Sequence, residues 1–158
     1  MPPPPLLSEV SPGLFVGEHP GRAGDLAQAL AKLRVQGIAA VVSVLEAPLD
    51  PDALRAADLR GLHLRVYDFD APEPAQLEAA VRFIGEARAA GESVLVHCFA
   101  GIGRSATVAC AYLISQGLSA DDAIEQVRRA RSPFCVESSA QQAALLAWEA
   151  RRDHADAG

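Results

Sequence analysis

Hydrophobic residues along this chain follow two patterns, and segments with the one pattern alternate with segments with the other. Valine-rich runs at Ile38–Leu45 and Ser93–His97 are short and free of Asp, Glu, Lys and Arg, as is typical of strands buried on both faces of a sheet. Leu62–Tyr67 alternates apolar and polar side chains, and Leu14–Val16 follows a Pro-Gly turn. These are the patterns of shorter strands. We therefore predict four strands.

Between these runs, apolar residues recur with the three-to-four-residue spacing of helices. Asp25 and Ser119 stand where N-caps are expected, and Ser138 with Gln141 has the pattern of a capping box, as does Ser119 with Asp122. The predicted helices cover residues 25–36, 52–59, 74–90, 104–116, 119–131 and 138 onwards. This alternation predicts an α/β fold with a central, mostly parallel, twisted sheet flanked by helices on both faces.

A chain of 158 residues has the size of a single domain. Residues 1–7 are rich in proline, which predicts a flexible, extended lead-in. We expect residues 8–150 to form the folded domain. The polar residues 151–158 are expected to fray.

Composition narrows the class of function. The 14 basic and 20 acidic residues give a formal net charge of −6, whereas a nucleic-acid-binding domain needs a broad basic surface. Three cysteines without a CxxC pair argue against a disulfide framework or a zinc site. The first residues do not resemble a signal peptide, and no apolar stretch is long enough to span a membrane. We expect a cytoplasmic protein with neither a nucleic-acid nor a membrane partner.

The segment Val96–Ser105 carries the candidate chemistry and reads VHCFAGIGRS. It connects a predicted strand to a predicted helix, and such turns lie at the carboxyl edge of the sheet, where α/β proteins bind ligands. Successive backbone N–H groups at a helix N-terminus can converge on an anion. Gly101 and Gly103 permit the backbone angles and the close approach that this geometry requires. We therefore expect residues 99–104 to bind a phosphate: Phe99, Ala100, Gly101, Ile102, Gly103 and Arg104.

Four side chains of this segment have candidate roles. Cys98 starts the turn, and a thiol near a helix N-terminus and a cation ionises more readily and becomes a better nucleophile. Arg104 closes the turn, where its guanidinium can donate to two phosphate oxygens. Ser105 can donate its hydroxyl to the cysteine sulfur, and His97 can support the loop through hydrogen bonds.

The string His-Cys-x-x-Gly-x-x-Arg-Ser resembles the signature loop of the cysteine-based protein tyrosine and dual-specificity phosphatases. Five residue types are specified within nine positions, in the strand–loop–helix setting that the family requires. The resemblance extends over most of the chain, since Ser11–Gly17 is similar to the opening strand of small dual-specificity phosphatases. Tyr67–Gln76, which reads YDFDAPEPAQ, is similar to their general-acid loop.

This resemblance implies a mechanism without metal or cofactor. Cys98 would attack phosphorus and form a cysteinyl-phosphate intermediate, while an aspartate about thirty positions earlier protonates the leaving oxygen. Asp68 is thirty positions before Cys98, and Asp70 remains the alternative. Asp68 would then activate water, and Ser105 would help to release the thiolate.

Three features remain open from the sequence alone. Some phosphatases of this kind use a late glutamine to position the attacking water, but the capping box explains Gln141 equally well. Cys135 lies in a predicted loop from which a disulfide with Cys98 is conceivable. The arginines near the end of the fifth predicted helix are expected to be a solvated helix end: Arg128, Arg129 and Arg131.

The resemblance implies a minimal phosphatase that acts on phosphotyrosine in proteins. Phosphoserine, phosphothreonine and small phosphomonoesters stay open as further substrates. One rival is a rhodanese-like sulfurtransferase or an arsenate reductase, which also place a cysteine in an anion-binding loop. The other rival is a phosphate-binding module without catalysis, which would require loss of the nucleophile, the arginine or the acid.

Overall fold

The structure is a computed structural model that describes the backbone of residues 4–157 and the side chains of residues 4–154. The strands are β1 (Leu7–Ser11), β2 (Leu14–Gly17), β3 (Ile38–Leu45), β4 (Arg60–Arg65) and β5 (Ser93–His97). The helices are α1 (Leu26–Val35), α2 (Pro51–Ala56), α3 (Pro74–Ala89), α4 (Arg104–Ser115), α5 (Ala120–Ala130) and α6 (Ser139–Ala157).

The five strands form one sheet in the order β1-β2-β5-β3-β4. Strands β2, β5, β3 and β4 run parallel to their neighbours, and β1 pairs with β2 in the antiparallel direction. This arrangement confirms the predicted α/β fold with a mostly parallel sheet. Because four strands are parallel, their carboxyl ends lie along one edge.

Helices cover both faces of the sheet, as predicted. Successive side chains of a strand point to opposite faces, and β3 shows this clearly. Its Val41 packs with Leu30 and Leu33 of α1, while Val42 and Val44 belong to the larger core formed with α3, α4, α5 and α6. Helix α4 lies in the middle of that larger core, and ten of its residues are buried. The buried start of α4 is what fixes the position of the candidate site.

The structure differs from the expected boundaries at four places, and one of them is helix α2, which ends at Ala56 and not at residue 59. Strand β1 was not predicted, and it begins at Leu7, inside the segment expected to be flexible. Strand β4 begins at Arg60 and ends at Arg65, two residues earlier than expected at both ends, and Val66 after it is still buried. Helix α6 continues through Ala157 where fraying was expected. Residues 1–3 of the expected lead-in, and Gly158, lie outside the described residues.

Side chains cap the helices where the sequence indicated. Asp25 accepts a hydrogen bond from the N–H of Gln28, and Ser119 accepts one from the N–H of Asp122. The capping box of α6 is reciprocal: the Gln141 N–H donates to Oγ of Ser138 at 3.1 Å, and the Ser138 N–H donates to Oε1 of Gln141 at 3.2 Å. The entry to α6 is therefore rigidly defined.

Among the described residues, we find no helix with the length and apolar character needed to cross a membrane.

Trp148 of α6 anchors this helix to α4. Its side chain is 1% exposed, and its indole N–H donates to the carbonyl oxygen of Ala111 at 3.0 Å.

We expect Trp148→Ala to lower the free energy of unfolding by about 3–5 kcal/mol, because it removes a large buried side chain. Urea unfolding measures this effect. Leu146→Ala is the matched control, since Leu146 is 55% exposed on the same helix and should change the stability by less than about 0.5 kcal/mol. Equal losses of stability in the two variants would contradict the role of Trp148 as the anchor of α6.

Candidate active site

The residues that follow the four parallel strands meet at the carboxyl edge of the sheet. They are Glu18 and His19 after β2, Glu46 after β3, Val66 to Asp68 after β4, and Cys98 after β5. Several of these residues contact residues 98–103, which we call the anion loop, or Arg104 at its end. The edge predicted to bind a ligand is therefore the edge on which the candidate residues gather.

All six carbonyl groups of the anion loop are hydrogen-bonded to groups around it. The Cys98 oxygen accepts from Nδ1 of His97 at 3.0 Å, the Phe99 oxygen from the His19 N–H at 2.9 Å, and the Ile102 oxygen from the Val136 N–H at 2.9 Å. Arg131 donates to the oxygens of Ala100, at 3.3 Å, and Gly101, at 2.6 Å. The Gly103 oxygen accepts from the Thr107 hydroxyl at 2.8 Å.

The opposite sides of these peptide groups are left free. A peptide C=O and its N–H point in opposite directions, so outward carbonyls turn the N–H groups towards the centre of the loop. None of the N–H groups of residues 99–103 donates to another described residue. A ring of free donors at the N-terminus of α4 is a binding site for an anion.

The two glycines of the anion loop are required by close contacts. Gly101 has a φ of +72°, and a Cβ at this position would lie 2.6 Å from the carbonyl oxygen of Gly17. A Cβ on Gly103 would overlap Oε1 of Glu137 and would lie 2.9 Å from Nε2 of Gln141. Glycine therefore lets β2 and the entry to α6 approach the loop from two sides.

Cys98 and Ser105 lie together at the base of the loop. The Cys98 side chain is 3% exposed, and its Sγ lies 3.1 Å from Oγ of Ser105, which is fully buried. The serine hydroxyl can donate a hydrogen bond to a thiolate at this distance. This matches the relationship expected between the two residues from the sequence.

His97 is a neutral histidine whose tautomer follows from its partners. Its Nδ1 faces the carbonyl of Cys98, which can only accept, so Nδ1 carries the proton. Its Nε2 then accepts from the hydroxyl of Ser43 at 2.7 Å, which the pairing of β3 with β5 places beside it. Burial lowers the pKa of His97 from 6.5 to about 4, and this keeps the ring neutral.

Arg104 is held at the end of the loop by one of its terminal nitrogens. Nη1 donates to the carbonyl oxygen of Val66 at 3.0 Å and to the carboxylate of Glu46. The hydrogen bond from Arg104 holds the pKa of Glu46 below its usual value. Among the described residues, Nε of Arg104 is buried without a hydrogen-bond partner, and Nη2 has only Asp68, at 3.7 Å. The edge formed by Nε and Nη2 is therefore free to bind two oxygens of an anion.

The structure places Asp68, and not the side chain of Asp70, beside the arginine. Asp68 is half exposed, and its carboxylate also accepts the N–H of Phe69 at 3.0 Å. Asp70 contributes its backbone carbonyl, which accepts a hydrogen bond from Gln141. Phe69 between them has a φ of +67°, an uncommon angle for a side chain of this size. Ser138 holds this turn by donating to the carbonyl of Phe69 at 2.7 Å.

Gln141 is fully buried, and both the oxygen and the nitrogen of its side-chain amide have partners. Its Oε1 accepts the N–H groups of Glu137 and Ser138, and its Nε2 donates to Asp70 at 3.1 Å. The capping interpretation therefore accounts for the bonds of Oε1, but not for the bond from Nε2. The same residue also ties the start of α6 to the loop that carries Asp68.

Arg131 is the site residue for which the sequence interpretation was wrong. It was expected in a solvated helix end, but it is 7% exposed and lies behind the anion loop. Besides Ala100 and Gly101, it donates to the carbonyl of Pro5 at 2.9 Å and to Oγ of Ser8 at 3.1 Å. The sequence carried one weak signal, which is that Arg131 is the last residue before the Ser-Pro turn that ends α5.

Glu46 and Ser43 were also not identified from the sequence. Ser43 lies within the run Ile38–Leu45, and Glu46 follows it directly. The rule that ligands bind at strand ends could therefore have drawn attention to Glu46. Nothing in the sequence shows which strand lies beside β5, and this neighbour is what brings Ser43 to His97.

The other two cysteines are free and fully buried. Burial raises the pKa of the Cys110 thiol far above its usual value and that of Cys135 to about 11. Both thiols therefore stay protonated at neutral pH. Neither forms a disulfide in the structure.

A buried cysteine at the start of an anion loop, with an arginine at its end and an aspartate beside the arginine, defines the class of cysteine-dependent protein phosphatases. The comparisons with known proteins agree. The family model for the dual specificity phosphatase catalytic domain matches residues 23–151. The chain therefore belongs to the dual specificity phosphatase family.

Similar proteins cover the chain to different extents. Rat (Rattus norvegicus) dual specificity protein phosphatase 12 is 38% identical over 125 residues, which are 76% of this chain and 34% of the rat protein. The crystal structure of Tk-PTP in the active form is 32% identical, with a TM-score of 0.83, and covers 93% of this chain and 98% of its own. Human DUSP28 is 31% identical, with a TM-score of 0.76 and 99% coverage of both chains. The chain spans about a third of the length of the first curated relatives it matches.

We expect Arg131→Met to weaken the binding of inorganic phosphate by about tenfold or more, equivalent to at least ~1.4 kcal/mol, because two loop carbonyls lose their donor. Isothermal titration calorimetry measures this affinity. Arg129→Met is the matched control, since its side chain is 73% exposed on the same helix and pairs only with Glu125 among the described residues. Unchanged phosphate affinity in a folded Arg131→Met protein would contradict the role of Arg131.

The lowered pKa of His97 predicts a loss of stability in acid. Between pH 6.5 and about 4, the unfolded chain binds a proton at this residue and the folded chain does not, so stability falls as pH falls through this window. The contribution reaches roughly 3 kcal/mol at the lower end. Urea unfolding at several pH values measures it. His97→Gln should show a shallower decline than the wild type, and parallel declines would contradict the assignment.

Proposed function

We propose that this chain is a phosphomonoester hydrolase that acts on phosphotyrosine in proteins through a cysteinyl-phosphate intermediate, without a metal. One observation carries the proposal: among the described residues, the N–H groups of the anion loop and Nε of Arg104 have no hydrogen-bond partner, and this loop begins at Cys98. A phosphoryl group is tetrahedral and negatively charged, so it can use these donors together. Family membership supports the same reaction.

In the first step, the thiolate of Cys98 attacks phosphorus, and the bond to the leaving oxygen breaks. The loop N–H groups and Arg104 stabilise the negative charge on the equatorial oxygens in the transition state. Asp68 donates a proton to the leaving oxygen, since its carboxyl group lies beside Nη2, on the free edge of Arg104. The product of this step is the cysteinyl-phosphate.

In the second step, water attacks phosphorus and the bond to sulfur breaks. The electron pair returns to Cys98, and the hydroxyl of Ser105, 3.1 Å away, stabilises the thiolate. The proton of the water passes to a neighbouring carboxylate. Dividing the hydrolysis into two displacements is the general advantage of a covalent intermediate.

Exposed aromatic side chains support phosphotyrosine as the substrate. Phe69 follows Asp68, Phe99 follows Cys98, and both side chains are more than half exposed. Arg22 lies 4.6 Å above the ring of Phe99. Aromatic rings of this kind can pack against the ring of a phosphotyrosine. Phosphoserine and phosphothreonine are shorter, and we propose them as poorer substrates.

The partner is a phosphorylated protein, and we propose the cytoplasm as the location. Three free thiols suit a reducing compartment. The net charge of −6 disfavours binding to nucleic acid. A non-catalytic phosphate-binding module fits less well, because such a module does not need an aspartate beside the arginine or a serine beside the cysteine. Asp68 lies beside Arg104, and Ser105 lies beside Cys98.

Hydrolysis of p-nitrophenyl phosphate in the presence of EDTA tests the proposal. We expect turnover by the wild type, none by Cys98→Ser, and a kcat lowered about 10²–10⁴-fold by Asp68→Asn, the usual range for a lost general acid. Asp70→Asn is the matched control and should keep nearly the full rate. An inert wild type that still binds a phosphotyrosine peptide would show that the loop only reads phosphate. A large loss in Asp70→Asn with none in Asp68→Asn would reverse the assignment of the acid.

A further inference from the structure

Glu137 places a second carboxylate at the anion loop. Its side chain lies against the Cα of Gly103, where a Cβ on that glycine would overlap Oε1 of Glu137 and lie 3.0 Å from its Cγ. Gly103 is the last residue of the loop before Arg104. The carboxylate is therefore at the rim of the same pocket as the free donors, on the side of α6.

The backbone that holds Glu137 is strained and firmly braced. Val136, the residue before it, has a φ of +60°, which is a genuine outlier for a β-branched residue. Its N–H donates to Ile102 at 2.9 Å, and its carbonyl accepts from Arg128 at 3.3 Å and Gln142 at 3.4 Å. Strain of this kind persists only where the surroundings enforce it, and it is concentrated at functional sites.

The carboxylate of Glu137 has no hydrogen bond or ion pair with the side chains or backbone that the structure describes. Its own N–H donates to Oε1 of Gln141 at 3.0 Å, so the residue is fixed through its backbone while its side chain remains available. The Oε1 of Gln141 accepts from Glu137 and Ser138, and its Nε2 donates to the carbonyl oxygen of Asp70, so one N–H of Nε2 has no partner among the described residues. Of the two polar groups against Gly103, the carboxylate is the one that can accept a proton, because an amide nitrogen only donates.

Burial and two charged neighbours determine the pKa of Glu137. Burial raises its pKa, the neighbouring carboxylate of Asp68 raises it further, and Arg104 opposes both. A carboxylate with a raised pKa is a stronger base than an ordinary glutamate. This is a property required of a group that accepts a proton from water.

We propose that Glu137 is a second catalytic carboxyl group, which accepts the proton of the attacking water when the cysteinyl-phosphate is hydrolysed. This inference rests on the proposed phosphatase function. The water oxygen bonds to phosphorus, its proton moves to Glu137, and the phosphorus–sulfur bond breaks with its electron pair returning to Cys98. Glu137 then releases the proton to solvent, and Asp68 regains from solvent the proton that it donated in the first step. The activation of water, which the resemblance implied for Asp68, is thus assigned to Glu137.

Pre-steady-state kinetics with p-nitrophenyl phosphate separate the two steps. Glu137→Gln keeps the size of the side chain and should leave formation of the cysteinyl-phosphate intact while slowing its hydrolysis about 10²-fold or more. We expect a burst of nitrophenol close to one equivalent, followed by a slow steady state. Mass spectrometry of the quenched enzyme should find phosphate on Cys98. Asp68→Asn should show no burst, because it slows the first step.

Glu125→Gln is the matched control, since Glu125 is an exposed glutamate on α5 and pairs only with Arg129 among the described residues. It should reproduce the wild-type kinetics in both phases. A Glu137→Gln variant whose burst and steady state fall together, or remain as in the wild type, would overturn the role of Glu137 while leaving the phosphatase assignment intact. A wild type that releases no nitrophenol would instead refute the phosphatase function, and this inference with it.

Discussion

The outward orientation of six consecutive carbonyl groups is the constraint on which the candidate site depends. An isolated loop of this sequence would satisfy its carbonyls and N–H groups with water in many conformations. Here each carbonyl of residues 98–103 has a partner, and these partners come from β5, from the segment after β2, from α4, from the end of α5 and from the entry to α6. The N–H groups are consequently presented to one point before any ligand arrives. Preorganised dipoles are effective because they need no rearrangement when charge develops.

Charge is distributed to match this geometry. The chain carries a net charge of −6, yet two arginines are buried at the loop: Arg131 behind it and Arg104 at its end. Burying a cation is costly unless its donors are satisfied. Arg131 is satisfied by backbone carbonyls and Ser8, whereas Arg104 retains a buried Nε without a partner in the described part of the chain. Arg131 therefore holds the anion loop in place, whereas Arg104 has a donor available for an anion.

Local patterns in the sequence predicted much of this structure. The valine-rich runs and the glycine-containing turn at Val96–Ser105 located the central strands and the anion loop, because burial and helix-start chemistry are local properties. Strand β1 escaped prediction, since Leu7–Ser11 is too short and too irregular in its apolar and polar positions to show alternation, and its pairing with β2 depends on the fold. Arg131 and Glu137 escaped for the same reason. Their partners are some thirty positions away along the chain, and no pattern in the sequence records that contact.

A crystal structure with bound vanadate tests the central claim most directly, because vanadate takes the five-coordinate geometry of the phosphoryl transition state. The account predicts vanadium bonded to Sγ of Cys98, with its equatorial oxygens accepting hydrogen bonds from the N–H groups of the anion loop and from Nε and Nη2 of Arg104. The loop carbonyls should keep their present partners. Vanadate bound away from Cys98, or a loop whose carbonyls turn inwards to meet the ligand, would contradict the account.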